Sequence, residues 1–234
     1  MNIPDSLRAF KRTAYQPQTA DSDGPSTASK FGGTPWLAPD EDWPKCEACG
    51  YPLQFFMQLN LDDLPVSYGS GLLQFFYCTA AEGDTICEVE REGWKPFSPG
   101  SLVRIVQPVD PSHTVVIPRF DWPFPPRLIT GWTALDDYPD SEEGEFSHGI
   151  VLSTDEWDEL IAEEFPQLGD KLGGWPSWIQ GVEYPNCPDC GETMRLVFQV
   201  DSEDHVPYSW GDRGRGHITQ CARHPHRLAF GWAC

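Results

Sequence analysis

The 234-residue chain is expected to be an α+β protein, mostly antiparallel β, in which a strand-rich unit bearing a zinc ribbon occurs twice. Three observations predict this. A CxxC knuckle closed by glycine stands at Cys46, Cys49 and Gly50, and again at Cys187, Cys190 and Gly191. Shifted by 141 residues, the chain matches itself without a gap: Gly32-Gly33 falls on Gly173-Gly174, Pro35 on Pro176, Pro44 on Pro185, one knuckle on the other, Gln58 on Gln199 and Asp63 on Asp204. These nine identities exceed the roughly two that average composition gives over such a span, so an internal repeat is a better account than chance. Finally, proline and glycine are frequent and evenly spread, which suits short strands and many turns better than long helices.

The remaining cysteines follow the same division. The first half holds Cys46, Cys49, Cys78 and Cys87, and the second holds Cys187, Cys190, Cys221 and Cys234. Four thiolates saturate a tetrahedral Zn²⁺ and leave no open position, so two structural zinc sites are expected. His224 and His226 closely follow Cys221, and either is an alternative to Cys234, whose place at the chain end favours fraying. Four disulfides are the competing reading. Residues 1–13 hold no apolar run long enough for a secretory signal, so a reducing cytoplasm is expected, where thiols bind metal. A redox dithiol needs an exposed pair with a depressed pKa, and two further cysteines in each half favour metal instead.

The elements follow in order. Met1 to Gln16 is read as a short helix and Gln18 to Ser29 as a loop. The first repeat, about 31–95, opens on Gly32-Gly33-Thr34-Pro35, a turn needing unusual backbone angles. Leu53 to Asn60 alternates as a strand, with Phe56 breaking the pattern. Leu61 to Pro65 is a turn. Leu72 to Cys78 and Ile86 to Glu90 read as strands about a polar turn. In the connector, 96–171, Leu102 to Val106, Thr114 to Ile117 and Leu128 to Trp132 are strands, and Asp136 to Glu145 is an exposed acidic loop. Ser153-Thr154-Asp155-Glu156 is a capping box. Behind it Trp157, Leu160, Ile161 and Phe165 share one face of an amphipathic helix at about 154–165, ended by Pro166. The second repeat, about 172–234, carries strands at Leu196 to Val200, Gly216 to Cys221 and Arg227 to Cys234. The whole, 1–234, is one domain of two related halves.

A net charge of −20 argues against nucleic acid, which needs a cationic surface. It fits a plain soluble protein or one that meets a basic protein partner. No stretch has the length of a membrane span. The sequence holds no phosphate-binding glycine loop, no G-x-S-x-G elbow and no H-E-x-x-H. His113, His148, His205 and His217 read as isolated. Asp201 to His205 admits a carboxylate–imidazole contact or simple turn chemistry, and Arg213-Gly214-Arg215-Gly216 is a small cationic turn suited to an anion. Adjacent pairs such as Asp62-Asp63 and Asp136-Asp137 point to opposite faces of a strand and form no dyad by themselves.

Several stretches carry a resemblance. Ser29-Lys30-Phe31-Gly32-Gly33-x-Pro35, Leu53-x-Phe55-x-x-Gln58-x-Asn60-Leu61-Asp62-Asp63-Leu64-Pro65, Gly71-Leu72-Leu73-Gln74-Phe75-Phe76-Tyr77 and Lys171-Leu172-Gly173-Gly174 resemble the YwqG-like family of bacterial proteins, classed as a domain of unknown function. The resemblance runs over nearly the whole chain from Phe31. It implies an α+β, strand-rich fold of two related halves and carries over no reaction and no catalytic residues. The doubled cysteine set resembles a zinc-bearing branch. An association of some relatives with toxin–immunity gene clusters implies an immunity role. The expectation is therefore a non-enzymatic, zinc-binding protein that caps a basic toxin. The alternative is an enzyme with its site between the halves, near the glycine-proline turns, Gln58 and Gln199.

Overall fold

A computed structural model describes residues 3–82, 85–87, 92–109 and 115–234. Its strands are β1 (Arg12–Ala20), β2 (Lys30–Phe31), β3 (Gln54–Asn60), β4 (Leu72–Tyr77), β5 (Ala81–Glu82), β6 (Thr85–Ile86), β7 (Ser101–Val106), β8 (Arg127–Asp137), β9 (Lys171–Gly173), β10 (Arg195–Asp201), β11 (Arg215–Gln220) and β12 (Leu228–Ala233). β5 and β6 form a separate hairpin, and the other ten make one antiparallel sheet. The α-helices among the described residues that span a full turn or more are α1 (Asp5–Arg8) and α2 (Thr154–Ala162).

The order across the sheet is β12-β11-β10-β9-β1-β8-β2-β3-β4-β7. Outward from the centre it runs β8-β2-β3-β4-β7 one way and β1-β9-β10-β11-β12 the other. The two central strands are crossed over. β1 precedes β2 in the chain but pairs with β9, and β8 precedes β9 but pairs with β2. The outer strands β7 and β12 approach each other, so the sheet is nearly closed.

The enclosed inner face buries one aromatic core drawn from both halves. Phe75 lies 4.3 Å from Phe230, and Trp210 lies 5.2 Å from Phe56 and 5.0 Å from Tyr77, ring centre to ring centre. Such pairs add about 0.5–1.5 kcal/mol each beyond the area they bury. A bulge between Phe55 and Met57 explains the broken alternation in β3. Phe56, Met57 and Leu59 all reach the inner core, while Leu53 and Phe55 reach a smaller outer core with Leu37, Phe76 and the first four cysteines' buried members. β10 bulges at the matching place, between Leu196 and Phe198.

Positions 141 apart make matching hydrogen bonds. Gln58 Oε1 accepts from Trp36 N–H at 3.0 Å and Gln199 Oε1 from Ser177 N–H at 2.8 Å. Gln58 Nε2 donates to the Ala28 carbonyl and Gln199 Nε2 to that of Gly169. Lys30 Nζ and Thr34 N–H meet Asp23 Oδ1, as Lys171 Nζ and Trp175 N–H meet Asp137 Oδ2. The shared glutamines are thus buried backbone clamps that fix each glycine-proline turn to its sheet.

Several expectations are corrected. The N-terminal segment is helical only at α1, and Arg12 to Ala20 is a central strand, not helix and loop. β8 runs to Asp137, beyond Trp132. Asp137 and Glu143 in the expected acidic loop are buried, and Glu143–Ser147 forms a π-helical turn. Val115 to Ile117 is not a strand, while Thr114, His113 and residues 88–90 of the expected strand lie outside the described residues. The helix ends at Ala162, with Trp157 and Leu160 buried but Ile161 60 % exposed.

Candidate metal centres

Each knuckle sits on the approach to a sheet strand. Cys46 N–H donates to the Tyr51 carbonyl and Gly50 N–H to that of Cys46, both at 2.8 Å. Cys187 and Gly191 repeat this with Glu192 and Cys187, again at 2.8 Å. Gly50 and Gly191 both have φ of 73°, the left-handed turn that suits glycine. That turn aims the N–H of Tyr51 at Cys49 Sγ and of Glu192 at Cys190 Sγ. Isolated bridges from Lys45 to Pro52 and from Asn186 to Thr193 close the knuckles.

The facing donors come from strand ends. Cys78 follows β4, Cys87 follows the β5–β6 hairpin, and Cys221 follows β11. The donor atoms of Cys46, Cys49, Cys78 and Cys87 lie within 4.8 Å of one another. Cys46 and Cys87 are 3.8 Å apart and Cys49 and Cys78 3.6 Å. A disulfide is about 2.05 Å, so these sulfurs are not bonded. An edge of about 3.8 Å is instead that of a tetrahedron with metal–sulfur bonds of about 2.3 Å. Burial pushes the Cys78 and Cys87 thiols up, and a bound divalent cation reverses that preference by stabilising the thiolates.

The second group is Cys187, Cys190, Cys221 and His224. Cys190 and Cys221 are 3.7 Å apart, and His224 Nδ1 lies 3.7 Å from Cys187 and 3.8 Å from Cys221. Cys234 is corrected as a ligand. It is exposed at the end of β12 with its sulfur against Gly211. His226 also lies outside the cluster, 3.7 Å from Asp189, which Arg227 holds through both oxygens. The deciding signal was in the sequence. Cys221-Ala-Arg-His224 has the same bite as CxxC, and His224 N–H folds back onto Cys221 Sγ at 3.3 Å.

Other expected sites resolve differently. Arg215 of the cationic turn is bound by Asp201 at 2.9 Å and Ser177 at 2.9 Å, so it faces no free anion. His205 is not isolated. Its Nδ1 lies 2.8 Å from Asp170 Oδ2 and its ring stacks on Phe31 at 4.7 Å. Asp170 also accepts Asp201 N–H at 2.7 Å, so this cluster is closed by its own bonds. A cavity of about 370 Å³ brings Glu143, His148, Arg12 and Arg195 together against the second glycine-proline turn. Burial holds the Glu143 carboxyl above its usual range, yet both its oxygens are engaged, by Trp178 Nε1 and Tyr184 OH at 2.9 Å each.

The family model described as Domain of unknown function (DUF1963) matches residues 29–223. A relative from Salmonella typhimurium, "Uncharacterized protein YpfL", is 44 % identical over 46 residues, 19 % of this chain and 11 % of its own length. No helix among the described residues is long and apolar enough to cross a membrane.

Proposed function

The chain belongs to the family Domain of unknown function (DUF1963), and we propose that here it is a cytoplasmic, non-enzymatic protein-binding module whose duplicated scaffold is held by two structural zinc ions. Zinc is the metal that suits closed Cys₄ and Cys₃His tetrahedra. Its role is structural, because each set fills all four positions. Structural zinc in small peptides contributes about 10–16 kcal/mol of apparent binding free energy, as large as the net stability of an ordinary domain, about 5–15 kcal/mol. Elemental mass spectrometry on protein purified without added metal is expected to find two zinc ions per chain, one for each cluster. Strong chelation is expected to collapse the melting transition. Metal-free protein that melts unchanged would remove the structural role.

The binding reading rests on one surface. No lysine or arginine stands between Arg127 and Lys171. That span exposes Phe146 at 84 %, Val151 at 86 % and Ile161 at 60 %, set among exposed Glu142, Glu145, Asp155, Asp158, Glu159 and Glu163. Exposed apolar side chains in a span whose charged residues carry one sign suit a partner of the opposite sign. The family resemblance extends this to an immunity protein that caps a basic toxin. Co-purification with toxin domains encoded in the same gene cluster tests it. Salt-sensitive retention is expected, and its loss in a Phe146→Ser, Ile161→Lys variant. No retention of any candidate, or retention unaltered by the variant, would defeat the reading. An enzyme is the weaker alternative, since in the cavity at Glu143 the buried carboxylate already accepts two hydrogen bonds.

A further inference from the structure

The two outer sheet faces differ where their registers correspond. In the first half one cross-strand row is Gln58, Gln74 and Arg104, and the next is Phe55, Phe76 and Leu102. In the second half the same rows are Gln199, His217 and Gly231, then Leu196, Thr219 and Ala229. Arg104 covers the first face. Its Nε donates to Gln74 Oε1 at 3.0 Å, and Gln74 Nε2 donates on to Gln58 Oε1 at 2.9 Å. Glycine at 231 in place of arginine removes that cover from β11 and β12. Over Gly231 lies a cavity of about 350 Å³, within the range of small-ligand sites.

Its floor presents two orphan polar atoms. His217 Nε2 and Thr219 Oγ1 are buried without a hydrogen-bond partner among the described residues, and both residues line the cavity. His217 is 7 % exposed and Thr219 1 %. Two residues apart on one strand, they face the same side. Burial, then the charges of Lys171 and Arg215, push the imidazole down to about 3, so it is neutral. Its hydrogen bond to the Ser177 backbone engages the other ring nitrogen, which leaves Nε2 as an acceptor. A buried polar atom left unpaired costs about 1–3 kcal/mol, so a bound partner is what such a floor lacks.

The walls are aromatic and fixed. Trp178 lies 4.6 Å from the His217 ring and 4.9 Å from Tyr184. Both are anchored from behind by the buried Glu143 carboxylate. Trp94 and Pro96 close the far side, with Trp94 held by Trp232 N–H on its carbonyl at 3.0 Å. Glu143 is thus a positioning residue for two rings.

We propose that this face of β11 and β12 binds a small, uncharged, planar heterocycle, its ring N–H donated to His217 Nε2, its neighbouring polar atom on Thr219 Oγ1, and its plane against Trp178. The test titrates uracil and hypoxanthine into full-length zinc-loaded protein, with cyclohexanol as a non-planar control, and follows the His217 ring nitrogens by NMR. At least one heterocycle is expected to bind at or below about 1 mM and to move the Nε2 resonance, while cyclohexanol does not. Thr219→Val keeps the shape and is expected to weaken binding about fivefold, the scale of one net hydrogen bond. Gly231→Ala, whose new Cβ would sit 3.1 Å from the Trp94 carbonyl, narrows the cavity and is expected to abolish binding. No binding by either base, or binding that leaves Nε2 unmoved and is indifferent to Thr219→Val, would overturn the proposal.

Discussion

Asp137 is a heavily engaged buried carboxylate. Fully buried, it accepts from Lys171 Nζ at 2.9 Å and from the N–H groups of Trp175 and Gln167 at 2.8 Å each. Removing one partner of a buried pair strands the other charge, at about 3–5 kcal/mol. Asp137→Ala is therefore expected to cost on that order in denaturant unfolding. Asp23→Ala is expected to cost less, because Asp23 is 38 % exposed and this pair is partly screened by water, although Lys30 itself is buried. Sequence reading placed Asp137 in an exposed loop, since its partners lie 30 to 38 residues away and no local pattern marks them. The clustering of the CxxC cysteines was legible because their spacing is itself the geometry of a bite. His224→Ala is expected to halve zinc content and Cys234→Ser to leave it unchanged, read by the same elemental analysis. A third residue-scale outcome concerns pH. Burial raises Asp170 from 3.8 to about 6. Burial opposes the charge on His205, but its hydrogen bond to Asp170 and the charges of Asp170 and Asp204 together outweigh this and raise it above 6.5. In both cases the native state holds a proton that the unfolded chain has lost. The stability that these two groups contribute is therefore fully present below 3.8, falls as pH rises towards about 6, and falls again as pH passes through the native pKa of His205. Asp170→Asn is expected to flatten that slope in melting temperature against pH.

Helix α2 and strand β1 mark the two extremes of legibility at the scale of elements. The Ser153–Glu156 capping box is present as read, with Ser153 N–H on Glu156 Oε2 at 2.8 Å and Glu156 N–H on Ser153 Oγ at 3.3 Å. Capping is a local code, written within four residues. Ser153→Ala is expected to cost about 0.5–2 kcal/mol, seen as faster amide exchange across α2 with the sheet still protected. β1 carries no such code. Gln16, Pro17 and Gln18 interrupt any apolar alternation, and its burial is mixed along its length. It is a strand because β8 pairs with it from Arg12 to Ala20 and β9 with it at Ala14 and Tyr15. Both neighbours lie more than a hundred residues downstream, so tertiary pairing overrides a weak local preference.

Across the whole molecule, the mostly antiparallel class was visible from turn residues and strand patterns, and the 141-residue shift marked positions that make matching hydrogen bonds. The order of the sheet was not, because the crossed central strands leave no trace in composition or spacing. Cleavage within 110–114, between β7 and β8, tests that order. The fragments are expected to remain largely unfolded apart and to regain the sheet when mixed, as read by circular dichroism. Fragments that each fold alone would contradict it.

The crossing of β1 and β8 also bears on descent. A chain holding only one half would leave its first strand beside nothing of its own. Two copies of such a chain could still complete the sheet by each lending that strand to the other. Either half of this sheet thus depends on a strand that the other supplies. The cysteine clusters and the outer face of β11 and β12 lie away from this crossing, on other strands and loops than β1 and β8.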